Sequence, residues 1–198
     1  MWVLVGLAII ANSQNCRAFP GCRRRPAYFE LFMRFCLLDR ICSYTPGVEL
    51  KAVKNVSLAE EYLADHFPEF PVLPGVFMLE AATQAGAWLL RFSDDFAHSI
   101  ITLAEARAVK YADFVSPGQT LRMTVRLAKR DGVRATLKFE GEVEGRASVS
   151  GRLILTGANL ADENPELAGL DEGMRQKQRE LAAVLCQGQP VPAPVAVT

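Results

Sequence analysis

The chain has no excess of charge: 22 lysines and arginines balance 22 aspartates and glutamates over 198 residues. A dedicated nucleic-acid binder usually carries a strong basic surplus, so no nucleic-acid partner is expected. No stretch reaches the roughly 20 apolar residues that a membrane-spanning helix needs. The apolar start, Trp2 to Ala11, is half that length and has no Lys or Arg before it, whereas a secretory signal opens on basic residues. The cluster Arg23, Arg24, Arg25 follows it instead. Export and membrane insertion are not expected, and a cytoplasmic location is. The five cysteines form no CxxC pair, and their odd number suggests neither a zinc site nor a disulfide framework. Cys36 and Cys42, on one face of an extended strand, would stand about 20 Å apart, beyond disulfide reach. With two histidines in the whole chain there is no ligand cluster, and neither metal nor organic cofactor is expected.

Half of the residues are apolar and 22% are charged, the profile of a folded domain. Three parts follow from the pattern. Residues 1–32 scatter Cys, Pro and Arg without period and read as an extension, expected to be an upstream misread start. Residues 33–157 are orderly and form the domain. Residues 158–198 read as a polar linker, a short helix from Asp171 to Cys186, and a disordered Pro/Ala/Val tail from Pro190 to Thr198.

The domain opens with a strand-like run, Phe35 to Cys42, a Pro46-Gly47 turn, and a second extended run from Val48 to Val56. A loop from His66 to Gly75 follows, punctuated by proline. It leads into Val76 to Leu90, where only Glu80, Thr83 and Gln84 are polar. That run is too long for an ordinary strand, its Ala, Leu and Met content favours helix, and a helix apolar almost all round is buried. Strict alternation then sets in. Leu121, Met123, Val125 and Leu127 point one way, then Val133, Ala135, Leu137 and Phe139, then Ala147, Val149, Gly151, Leu153 and Leu155. The turns fall at Asp131-Gly132 and Gly145. An antiparallel meander with one dry face needs a cover, and the apolar helix supplies it. The fold class is α+β, a sheet wrapped around one central helix.

Three features could carry chemistry. Glu80 places a carboxyl in an apolar helix, where desolvation favours its neutral form, and a neutral carboxyl can serve as a general acid. The alternative is a carboxylate paired with a neighbour or reaching the helix edge. His66 heads a loop stiffened by Pro68, Pro71 and Pro74, which suits a positioned base, although a structural histidine is the common outcome for such a residue. Pro74-Gly75 precedes the helix, whose first N–H groups lack partners, and glycine lets a substrate carbonyl come close.

The stretch His66-Phe67-Pro68-Glu69-Phe70-Pro71-Val72-Leu73-Pro74-Gly75-Val76, followed by Leu79-Glu80-Ala81-Ala82-Thr83-Gln84, resembles the 3-hydroxyacyl-acyl-carrier-protein dehydratases of bacterial fatty acid synthesis (the FabZ type). Their pattern reads roughly HFPxxPVxPGVxxxE, then a spacer and Gln. Phe35 to Ile41, Ala52 to Val56 and Val115 to Gln119 resemble the family's flanking strands and turn. The resemblance covers residues 33–157. Asp65 departs from it, standing where the family has Gly, and so does the long segment after 158.

The resemblance implies a hot-dog fold and a homodimer with shared active sites, with a trimer of dimers as a further assembly. His66 of one subunit would face Glu80 of the other. It implies catalytic roles for His66, Glu80 and Gly75, and substrate-binding roles for Phe67, Pro74, Val76 and Gln84. The related isomerising dehydratases carry Asp at the acidic position, so Glu80 favours the plain dehydratase type. The implied substrate is an acyl chain on the phosphopantetheine arm of acyl carrier protein. Phe77, Met78 and Trp88 are candidates to line its channel, and Arg107, Lys110, Arg122, Arg126 or Arg134 to dock the acidic carrier. Two rival readings are a hot-dog thioesterase and a non-catalytic acyl-chain-binding protein.

Overall fold

Alternating strands and one greasy helix can hide their apolar faces only against each other, and the computed structural model joins them in this way. It describes residues 35–187. The N-terminal extension and the Pro190–Thr198 tail lie outside the described residues. The order is β1 (Arg40–Thr45), β2 (Glu49–Asn55), α1 (Gly75–Ser93), β3 (Ile100–Tyr111), β4 (Thr120–Asp131), β5 (Arg134–Val143), β6 (Arg146–Ala158) and α2 (Ala168–Leu185). Short 3-10 turns stand at Glu61–Leu63, Leu160–Asp162 and Pro165–Leu167. Six strands form one antiparallel sheet in the order β1-β2-β4-β5-β6-β3. The sheet packs on α1 through β2, β4, β5 and β6. This is the hot-dog arrangement.

Leu121, Met123, Val125, Leu137, Phe139, Leu153 and Leu155 are buried against Ala81, Ala82, Ala85 and Leu89 of the helix. Burying a side chain of the larger kinds contributes roughly 1.5–3 kcal/mol. Gly86 fixes how closely the layers approach. A Cβ there would lie 3.0 Å from Leu155 Cδ1 and 3.1 Å from Leu137 Cδ1. A mid-helix glycine costs about 1 kcal/mol relative to alanine, and here the missing methyl makes room for the sheet.

Four expectations are corrected. The first strand runs from Arg40 to Thr45, not from Phe35 to Cys42. Leu37 and Leu38 are both buried, so their side chains do not alternate, and the Leu37 N–H donates to Gln84 Oε1 of α1 at 3.0 Å, not to a strand. The long edge strand β3 has no counterpart in the sequence reading. Register shifts between Leu103 and Glu105 and between Arg107 and Lys110 break its two-residue period. Val133 is exposed in the β4–β5 turn, and Ala147 is exposed at the start of β6. Gly141 pairs with Val149 but Glu142 with Ala147, so Ser148 is an extra residue that bulges inward.

Residues 159–167, in the segment read as a polar linker, carry two 3-10 turns, and the following helix starts at Ala168. The buried Asp171 accepts from the Ser99 hydroxyl and from the N–H groups of Leu160 (3.0 Å) and Ala161 (2.8 Å). Burial opposes its charge, but these donors and nearby Arg175 outweigh that and hold the carboxyl below its usual range. Gln178 Nε2 donates to Ser99 O at 2.7 Å, and Arg179 lies over the Phe96 ring, 4.4 Å from its centroid. Ala182, Leu185 and Cys186 complete the core.

Candidate active site

The loop that carries His66 is fastened at both ends. Upstream, Glu60 binds Lys54 (2.8 Å), the Ser57 N–H (3.0 Å) and the Tyr62 hydroxyl. Burial opposes its ionisation, yet Lys54, Ser57 and Tyr62 together hold the carboxyl below its usual range. Burial, with Glu60 beside it, raises the Tyr62 phenol. The Tyr62 ring meets Phe77 of α1 edge-on, with centroids 4.7 Å apart. Downstream, the Val72 N–H closes the loop on His66 O (3.1 Å), and the Leu73 N–H donates to Val115 O (2.8 Å). The imidazole itself stacks on Phe67.

His66 and Gly75 line one cavity of about 360 Å³, together with Val72, Leu73, Met78 and the segment from Tyr111 to Phe114. Gly75 is the first residue of α1, where the N–H has no acceptor within the helix. A Cβ on it would stand 3.1 Å from Tyr111 Cε1, so glycine keeps this wall open. The inward bulge of β6 holds the next residue of the lining, because Ser148 O accepts the Ala112 N–H at 2.8 Å. Tyr111 and Phe114 escaped the sequence reading because one closes an irregular strand and the other lies in the segment after it, where no local pattern marks them. Tyr111 and Phe114 of the lining are exposed large apolar side chains, and so are Phe67, stacked on His66, Phe70, edge-on to Phe114, and Val76, next to Gly75.

Glu80 does not line that cavity. Five residues after Gly75, it projects about 140° further round the helix. It is half-buried, and its Oε1 accepts from Gln84 Nε2 at 2.9 Å. Gln84 is itself buried, anchored by Leu37. Pro74 is buried as the residue capping α1, while Phe67 and Val76 are more than half exposed. Of the suggested channel residues, Met78 reaches the cavity and Trp88 is buried in the core. Arg107, Lys110, Arg122, Arg126 and Arg134 are all exposed, with Arg107 held by Glu105 and Arg126 by Glu49. Asp65 is exposed. Among the described residues no three His, Cys, Asp or Glu side chains converge in a metal-ligating arrangement, and no helix is long and apolar enough to cross a membrane.

The family model of the FabA-like domain matches residues 32–157, which includes the loop, the helix and the sheet up to the last residue of β6. The chain belongs to the FabA-like family. Among its relatives is the 3-hydroxyacyl-[acyl-carrier-protein] dehydratase FabZ of Streptococcus agalactiae serotype V. It is 35% identical over 123 residues, 62% of this chain and 87% of the relative. The FabZ of Lactococcus lactis subsp. cremoris is 34% identical over 119 residues, covering 60% and 82%. The FabA-like architecture is also found in a solved structure, the dehydratase heterocomplex ApeI:P from Xenorhabdus doucetiae. It superposes with a TM-score of 0.55 at 20% identity over 73% of this chain and 93% of that one.

Proposed function

We propose that this FabA-like protein dehydrates (3R)-3-hydroxyacyl chains on acyl carrier protein to the trans-2-enoyl thioesters in fatty acid biosynthesis. The observation that carries the proposal is the cavity joining His66 to the first N–H of α1, in a chain of the FabZ lineage. His66 removes a proton from C2, and the electron pair forms the C2–C3 double bond. The C3–O bond breaks as Glu80 gives a proton to the departing hydroxyl, which leaves as water. The Gly75 N–H, at the positive end of the helix dipole, takes the charge that builds on the thioester oxygen. Gln84 holds Glu80 in place and is a positioning residue; direct substrate contact falls to Phe67 and Val76, with the buried Pro74 setting the helix entry behind them.

Because Glu80 faces away from the cavity, the working site needs a second copy of the chain. The exposed apolar rim around the cavity and the free edge of β3 suit such a homodimer, and a trimer of dimers would extend it. The phosphopantetheine arm enters at this rim, with acyl carrier protein docked on the exposed cations. A cytoplasmic location fits that substrate.

The test supplies 3-hydroxybutyryl and crotonyl carrier-protein thioesters and follows enoyl absorbance together with free thiol. Interconversion of the two, without thiol release, is the expected result. Thiol release without interconversion would mean a thioesterase, and neither signal a binding protein.

A further inference from the structure

Away from His66, the described residues form another recess, of about 290 Å³, over β1, β2 and β4. The strand register builds it. Val53 of β2 stands opposite Arg40 of β1 on one side and opposite Arg122 of β4 on the other. Their neighbours Ile41, Ala52, Leu121 and Met123 belong to the core, so alternation turns these three residues to the face away from α1. Strands lie about 4.8 Å apart, which sets the two arginine backbones about 10 Å from each other, with the buried Val53 between them.

Both arginines are exposed, and among the described residues neither forms an ion pair. That holds although Asp39 precedes Arg40 and Glu142 stands opposite Arg122 in the register. The other polar groups of the recess are only partly used on each other. Asp39 Oδ2 accepts the Asn55 N–H, and Asn55 Oδ1 accepts from the Thr120 hydroxyl at 2.8 Å. Among the described residues nothing bonds to Asp39 Oδ1 or Asn55 Nδ2, which leaves one acceptor and one amide donor group for a ligand. Gln187 completes the lining. It follows α2, well past residue 157 where the FabA-like match ends, so the recess is not made by the shared domain alone.

Two guanidiniums offer two positive charges and forked donors, which suits a phosphate monoester dianion, whereas a monocarboxylate answers only one of them. Asp39 repels a bare anion but accepts from a hydroxyl, so it favours a ligand that carries both groups. The volume stands at the small end of the range for small-molecule sites. We propose that this recess binds a small sugar phosphate, with its phosphate between Arg40 and Arg122 and its hydroxyls on Asp39 and Asn55. The site shares no residue with the His66 cavity and does not depend on the dehydratase reading.

The experiment is calorimetric titration of the full chain with glucose 6-phosphate, ribose 5-phosphate and glycerol 3-phosphate, beside inorganic phosphate and glucose. At least one phosphate ester should bind about tenfold tighter than inorganic phosphate, and glucose should give no heat. Arg40→Gln and Arg122→Gln should each weaken the best ester about tenfold, the scale of a hydrogen bond to a charged group, with the melting temperature unchanged. Arg122→Lys should keep part of the affinity. Asp39→Asn should narrow the gap between the ester and inorganic phosphate. No binding by any ester, or an affinity for inorganic phosphate equal to that for the best ester, overturns the proposal. So does binding that survives the double variant Arg40→Gln/Arg122→Gln, or that disappears in His66→Ala, which would put the ligand in the other cavity.

Discussion

Gln84 Nε2 donates to Glu80 Oε1 across one turn of α1 at 2.9 Å, while Gln84 Oε1 accepts the Leu37 N–H. The amide is thus held from behind and fixes one rotamer of the carboxyl in front. Gln84→Leu removes both bonds. We expect kcat to fall roughly a hundredfold with KM little changed, the signature of a misplaced catalytic group. Steady-state kinetics beside a thermal melt separates this from simple unfolding, because an unstable but correctly aligned variant would lose active fraction and melting temperature together.

His66→Ala and Glu80→Gln each remove one of the two groups proposed to transfer a proton. Each should cost about two to four powers of ten in kcat, with circular dichroism and oligomeric mass unchanged. Turnover near wild type in either variant would show that the two roles are misassigned.

Gly75→Ala tests the wall shared with Tyr111. The added methyl, 3.1 Å from the ring, must push a half-exposed side chain aside or narrow the cavity. We expect about a tenfold loss in kcat/KM, since small displacements at a reacting centre are costly. Tyr111→Ala placed on top should recover part of it. Failure of the double variant to recover would move the cause from crowding to the backbone of the helix start.

Asp171→Asn should destabilise the fold by roughly 2–3 kcal/mol, the scale of hydrogen bonds to a buried charge. The folded carboxyl sits below its ordinary value, so its contribution is full above about pH 4 and is lost as pH falls through the folded value. Glu60, also depressed, adds to the same acid loss. Urea midpoints measured from pH 6 down to pH 3 should decline in the wild type and decline less in Asp171→Asn. Parallel curves would mean that Asp171 does not titrate as a linked group.

The central helix and the inner faces of β4 and β5 were legible because their periods are clean and their turns carry the expected residues. The His66 loop was legible because its prolines and Gly75 each have a backbone reason to stand where they do. What stayed hidden depends on the third dimension. Two register shifts erased the alternation of β3, and with it the signal for Tyr111, while Phe114 lies in the irregular segment after the strand. Asp171 reads as a surface acid at the start of a polar helix until Ser99, 72 positions away, is brought to it. The resemblance implies a substrate contact for Gln84, and no sequence pattern shows that its amide is buried and turned toward Leu37 and Glu80.

The stretch that matches the FabA-like domain stops at residue 157, but the interior does not. Leu185 and Cys186 fill the core, and Arg179 lids Phe96. Trimming the gene at the domain limit would open a greasy hole at the far end of α1 and yield an aggregating polypeptide, so expression work should retain everything through Gln187.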